Sequence, residues 1–248
     1  MAASKRPRSW LSHQRYPRLL LALLTALSVL LAISPHDRAT WLLENALLIV
    51  AVPVLVGTHK ALPLSRVSYT LIFVFLCLHA VGAHYTYSLV PYDAWTEALT
   101  GRTLSSVMGW ERNHYDRLVH FLYGLLLAYP VREVFLRVAD VRGFWGYYLP
   151  LDVVLATSGL YELIEWGVAA AQGGELGAAY LGSQGDAWDA QKDMALATIG
   201  AVAAMLITAA VNWRFQRDFA REWAESLRVK RPRPLGEDAL ARSLRNKG

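Results

Sequence analysis

The sequence predicts an all-α, polytopic membrane protein: a helical bundle of about six transmembrane helices with both termini cytoplasmic. Three observations predict it. The chain is 54% hydrophobic with 9 Trp and a mean hydropathy of +0.25. Its apolar residues gather in blocks of about twenty, the length a helix needs to cross the hydrocarbon core of a bilayer. Lys and Arg are distributed unevenly among the segments between these blocks.

The blocks fall at 18–34, 40–56, 68–90, 117–138, 147–171 and 193–212, so that 18–212 forms one transmembrane domain between basic tails at 1–17 and 213–248. The first block follows Lys5, Arg6, Arg8, Arg15 and Arg18 and resembles a secretory signal, with small residues Ala32 and Ser34 at cleavage-like spacing. Pro35 would directly follow the cut, where an imino acid is poorly accepted, so the block is expected to be a retained first span. The third block holds the single cysteine, Cys77, which rules out an internal disulfide, together with His79 and His84. Between the third and fourth blocks runs the longest loop, Pro91 to Tyr115, whose Trp95, Leu99, Leu104, Val107 and Trp110 predict helical turns at headgroup level. The fourth block is entered through Asp116 and His120, and the fifth ends with Tyr161, Glu162 and Glu165. The sixth follows Asp186 and Asp189 and opens on Asp193. After it, Trp213, Phe215, Phe219 and Trp223 alternate with Arg214, Arg217 and Arg221, the pattern of a basic amphipathic helix on anionic lipid.

Charge sets the orientation. With both termini inside, the outer segments hold only Arg38, Arg102, Arg112, Arg117 and Lys192 of the 25 basic residues. This satisfies the positive-inside rule and explains a net charge of +5 without invoking nucleic acid. Twelve of the 20 acidic residues lie toward the outer face. Carboxylates do not set topology, so their bias calls for a chemical reason.

Direction of travel then brings the polar residues to one depth. Spans three and five leave through the outer face and spans four and six enter through it, which places His84, Asp116, His120, Glu162, Glu165, Asp186 and Asp189 in the outer third of the membrane. Asp116 and His120 are four residues apart and Glu162 and Glu165 three apart, so each pair shares a helix face. Of the two histidines on span three, His84 is favoured because it lies nearer the outer edge. Carboxylates and imidazoles on facing helices are the ligand set with which bundles hold a divalent metal ion. The same groups serve as general acid and base, or as a proton or cation path. Glu162 and Glu165 lie near the C-terminal end of their helix, where the dipole disfavours anions, which speaks for function. Asp193 is equally well explained as a first-turn residue favoured by the dipole.

Other polar features have structural readings. Arg132 and Glu133 are expected to form an interfacial ion pair, and Gly82, Gly124 and Gly159 to let helices approach closely. Gly182-Ser183-Gln184-Gly185-Asp186 lacks the Lys and preceding strand of a phosphate loop, and is expected to be a turn delivering Asp186 to the site.

Taken together, Gly82-Ala83-His84-Tyr85-Thr86-Tyr87, Arg112-Asn113-His114-Tyr115-Asp116-Arg117 with His120-Phe121, Tyr161-Glu162 with Glu165-Trp166, and Tyr180-Leu181-Gly182 with Gln184 through Met194 resemble the YjdF-like family of bacterial inner-membrane proteins. The resemblance covers nearly all of the chain except the tails. It implies a multi-pass protein of the inner membrane and carries no established activity. More remotely, Asp116-Arg117 with His120-Phe121, then Glu162, then Asp193 and Gly200 are similar to the pattern of VanZ-like membrane proteins, with Ala197 where that group has Asn.

The functional expectation is an outward-facing acidic and histidine-containing pocket between spans three to six. Asp116, His120, Glu162 and Glu165 are the candidate catalytic residues. With His84, Asp186 and Asp189 they are the candidate ligands of a divalent metal ion, while Tyr161 and Trp188 shape the walls. The partners expected are the bilayer, anionic lipid at both basic tails, and an envelope or lipid-linked substrate. The rival expectations are a proton- or cation-coupled transporter and a structural membrane protein whose polar residues bond helix to helix.

Overall fold

In lipid, an apolar run of this length satisfies its backbone polar groups by forming a helix. The structure, a computed structural model that describes residues 15–174, 177, 183–216, 218–230, 236 and 242–245, is helical, with no strand among the described residues. Helix α1 spans Arg15–Leu31, α2 Arg38–Glu44, α3 Ala46–Thr58, α4 Arg66–His84 and α5 Tyr92–Thr100. They are followed by α6 Leu104–Met108, α7 Tyr115–Val138, α8 Gly143–Gln172, α9 Asp189–Phe215 and α10 Phe219–Ser226.

Five stretches are long and apolar enough to cross a membrane: α2 and α3 together over Arg38–Thr58, then α4, α7, α8 and α9. Helix α1 has 17 described residues, at the short end of the ~17–25 that cross a bilayer. It packs along α4, with the Tyr16 and Thr70 hydroxyls 2.6 Å apart and the Arg66 guanidinium over the Tyr16 ring. Lys5, Arg6 and Arg8 of the N-terminal tail, the motif residues Tyr180-Leu181-Gly182, and Arg217 lie outside the described residues.

Two expected spans are interrupted or cut short. The second is broken at Asn45, whose side-chain amide donates to Trp41 O at 2.7 Å, so α2 ends there and α3 restarts. The third stops at His84, six residues short of the expected end, because Thr86 and Tyr87 adopt left-handed backbone with φ of 51° and 53°. This turn folds the Tyr87 ring back over Gly82, where an added Cβ would lie 2.6 Å from it. Gly82 thus accommodates a side chain and not a neighbouring helix. The long loop between α4 and α7 forms the helical turns expected of it, as α5 and α6.

The tightest helix crossing is α7 on α9. A Cβ on Gly124 would lie 1.8 Å from Ala197 O, and one on Gly200 2.0 Å from Phe121 O. Small residues at both points let the backbones touch, as the sequence suggests for Gly124. Gly159 of α8 faces the Met194 sulfur of α9, 3.3 Å from its built Cβ. Helices α4 and α8 also flank α7, so three helices, α4, α8 and α9, pack around it.

At the opposite end, Glu133 does not pair with Arg132, because adjacent helical residues point in different directions. Glu133 accepts from the Ser65 N–H at 2.8 Å and the Ser68 hydroxyl at 2.5 Å, and pairs with Arg137 at 3.0 Å, tying α7 to the start of α4. The Arg132 guanidinium lies 4.5 Å over the Tyr147 ring. Helix α10 turns its Phe219 and Trp223 onto Tyr147 and Phe144 of α8, so part of the aromatic face expected on lipid is used within the protein. Trp213 and Phe215 remain 74% and 77% exposed.

Candidate functional site

The α7–α9 crossing carries Asp116 and His120 of α7 against Asp193 of α9. One ligand atom from each of these three lies within 4.8 Å of the other two. His120 Nε2 is 3.6 Å from Asp116 Oδ1 and 3.5 Å from Glu162 Oε1 of α8, which closes the group from a third helix. His120 and Asp193 are buried, at 8% and 2% exposure. Both Asp193 Oδ1 and Glu162 Oε1 are buried without a hydrogen-bond partner among the described residues. Polar atoms in that condition cost about 1–3 kcal/mol each unless a proton, water or cation meets them.

Asp193 belongs to this group for a reason that its apparent first-turn position concealed. Helix α9 begins at Asp189, a full turn before the expected start at 193, so the N-terminal dipole is answered by Asp189 and Asp193 sits inside the span. Glu165 follows three residues after Glu162 on α8, half-buried, outside the three residues whose ligand atoms converge.

Asp186 and Asp189 form a separate ion-pair layer above the cluster. Arg112 reaches Asp189 at 2.8 Å and the Ser183 carbonyl at 2.8 Å, while Arg117 pairs with Asp186 and stands 3.4 Å from Asp189. Lys192 adds a 2.6 Å contact to Asp186. The Lys192 ammonium, then the Trp188 N–H and Arg117, hold the Asp186 carboxyl down at about 2, so it is an anion at neutral pH. The turn before it has φ of 50° at Gln184 and 85° at Gly185, and the Gln184 side chain exchanges hydrogen bonds of 3.0 and 3.1 Å with the Asn113 backbone. Asn113 in turn donates to Val90 O at 2.9 Å. The Arg112-to-Arg117 motif is therefore largely a clamp joining three loops. Trp188 is 66% exposed and forms no wall.

His84 is not brought into the cluster. Its Nδ1 donates to the Leu31 carbonyl at 2.7 Å, linking α4 to the end of α1. His79 is the buried histidine, at 2% exposure. Its Nε2 donates to Glu44 O at 3.0 Å, and its Nδ1 accepts from the Tyr87 hydroxyl. Because a carbonyl only accepts, the proton sits on Nε2. The Glu44 carboxylate, itself 5% exposed, accepts from the Tyr161 hydroxyl at 3.0 Å, and the Tyr161 ring meets His120 edge-on at 6.2 Å. Glu44, His79 and Tyr87 thus extend the polar site sideways from α8 to α2 and α4. Glu44 carries a legible signal, a lone carboxylate inside an apolar block, whereas depth alone disfavours His79.

Beneath the cluster lies a cavity of about 470 Å³, bounded at its polar end by Asp116, His120, Tyr161, His79 and Tyr87. Its remaining walls come from α3, α4, α7 and α8 and are almost wholly apolar.

Chemically, a histidine and carboxylates from three helices form a hard-to-borderline donor set suited to a divalent cation. The orphaned oxygens of Asp193 and Glu162 are what such an ion would satisfy, so the residues fit.

The family described as "Predicted membrane protein (DUF2238)" matches residues 16–214. The Escherichia coli (strain K12) "Inner membrane protein YjdF" is 39% identical over 197 residues, covering 79% of this chain and 90% of that protein. Neither match is to a VanZ-like protein. No solved structure matches the chain. Since the match runs through every membrane-crossing helix and the whole cluster, the chain belongs to the DUF2238 family of membrane proteins.

Proposed function

We propose that this integral membrane protein holds a divalent cation between Asp116, His120, Glu162 and Asp193, in the outer third of the bilayer, and acts there on an envelope or lipid-linked substrate. The observation that carries the reading is the convergence of ligand atoms of Asp116, His120 and Asp193 within 4.8 Å, with one oxygen of Asp193 and one of the adjacent Glu162 buried and without a hydrogen bond. Buried carboxylates are costly in a membrane, and a cation shared among them removes most of that cost. A bound cation would polarise an oxygen of the substrate or activate water. Glu165, one turn away, is the group we assign to carry the proton. The Tyr161–Glu44 pair orients the wall of the site. Against a transport path stands the apolar lining beneath the cluster.

Two expectations complete this reading. Both termini face the cytoplasm, supported by the basic segments named above. Anionic lipid binds at both basic ends: Arg18 and Lys60 rim a second apolar groove of about 260 Å³ between α1, α3 and α4, and Arg214 flanks exposed Trp213 and Phe215.

Protein purified gently without chelators is expected to carry about one equivalent of a divalent metal by elemental analysis, lost in the His120→Ala and Asp193→Asn variants. Folded wild type with no metal defeats the proposal. Orientation is tested by a Cys at Ser183 in a Cys77→Ser background. Labelling by a membrane-impermeant reagent from the outer side is expected, and reactivity only from the cytoplasm would reverse the topology.

A further inference from the structure

The cavity below the cluster is long. Along α7 it is lined from Asp116 to Val134, and 18 residues of helix rise about 27 Å, close to the full hydrocarbon thickness of a bilayer. Its walls below the polar end are apolar side chains such as Ala51, Phe75, Leu127 and Val131. Among the polar groups there, the Tyr123 and Thr157 hydroxyls bond each other at 2.5 Å. Water in a cavity needs two to four polar partners, and this one supplies few below its mouth. Helix α3 stands off from α7 and α8, and the crevice reaches the bilayer between them: Val54 and Val134, both in its lining, are 56% and 37% exposed.

Shape and lining point to a slender apolar occupant: the crevice runs about 27 Å along α7 between apolar side chains of α3, α4 and α8, and it opens to the bilayer along one side.

We propose that the crevice takes one hydrocarbon chain of a membrane phospholipid, entering between α3 and α7, with the phosphate headgroup held at the Asp116–His120 end. The chain lies along α7 toward Val134, and the headgroup comes within reach of the acidic and histidine side chains and of any cation they hold. This rests on the reading of the cluster as a cation-assisted site for a lipid-linked substrate, and makes that substrate a phospholipid gripped by its tail.

The test uses the full chain in nanodiscs with two phosphatidylethanolamine probes, one carrying a diazirine near the headgroup and one near the end of an acyl chain. After photolysis, the headgroup probe is expected to label Tyr87 and Tyr161, and the chain-end probe Leu127 and Val131. Each should show a severalfold excess over the outward α9 face at Leu206 and Ile207, both strongly exposed. Ala51→Phe, or Val131→Phe should the first variant melt early, is expected to remove the chain-end labelling and leave metal content unchanged. Equal labelling of crevice and α9 face, the same pattern from both probes, or labelling indifferent to a folded filling variant would overturn the proposal. Ordered crevice labelling in protein that holds no metal would keep the tail site and discard the cation reading. Metal without crevice labelling would do the reverse.

Discussion

Gly200→Val is expected to be among the most destabilising single substitutions in this chain, lowering stability by about 3 kcal/mol. The added Cβ alone would stand 2.0 Å from Phe121 O and 2.8 Å from Leu125 N, both backbone atoms that no rotamer change can move. Gly124→Val meets Ala197 O at 1.8 Å from the other side of the same crossing. Relief requires α7 and α9 to separate, and these are the helices that carry Asp116 and His120 on one side and Asp193 on the other. The variants should therefore lose bound metal together with thermal stability in detergent. Gly167→Ala is the control, since nothing lies within 4 Å of its built Cβ. It should be neutral or slightly stabilising, because alanine is the better helix former. Equal melting of Gly200→Val and Gly167→Ala would mean that the crossing is not what holds the site.

The parts of this architecture that were legible in the sequence are those that depend on one segment at a time. Apolar blocks of bilayer length gave the spans, and Asp116, His120 and Glu162 announced themselves as ionisable groups where lipid makes charge expensive. What escaped depends on where a chain turns back or on which neighbour a side chain meets. The third block stays apolar through Val90, yet the helix ends at His84, because Tyr87 finds a ring-sized space over Gly82 and an acceptor in His79. That event lies in tertiary contacts and leaves no periodicity to read. Asp193 reads as a first-turn residue as readily as a site residue, because a four-residue shift in a helix start exchanges a cap for an interior position. Depth favours His84 over His79, but burial depends on which face of α4 meets α2, and that is set by partners distant in sequence. In the sequence Arg112 and Arg117 are only two of the basic residues between spans; the folded loop is what brings Asp186 and Asp189 between them.

That layer of charges gives the second large effect. Arg112→Leu is expected to cost about 3 kcal/mol, because it leaves Asp189, whose side chain is 9% exposed, with only the longer 3.4 Å contact to Arg117. It also removes the donor to Ser183 O, so the turn that precedes α9 loses one of its ties to the start of α7, the Gln184–Asn113 hydrogen bonds remaining. Lys192→Leu should cost less than about 1 kcal/mol, although its contact to Asp186 is short, because the lysine is 49% exposed and water competes for it. The double variant Arg112→Leu/Asp189→Leu should recover part of the loss, since an apolar pair is less costly than a stranded carboxylate. The same series asks what Asp189 is for. If it serves the ion-pair layer, Asp189→Asn should lower the melting temperature while metal content in the folded fraction stays at the wild-type level. Metal lost from a fully folded Asp189→Asn protein would instead make Asp189 a ligand, and would require the guanidinium of Arg112 to give way when the cation binds.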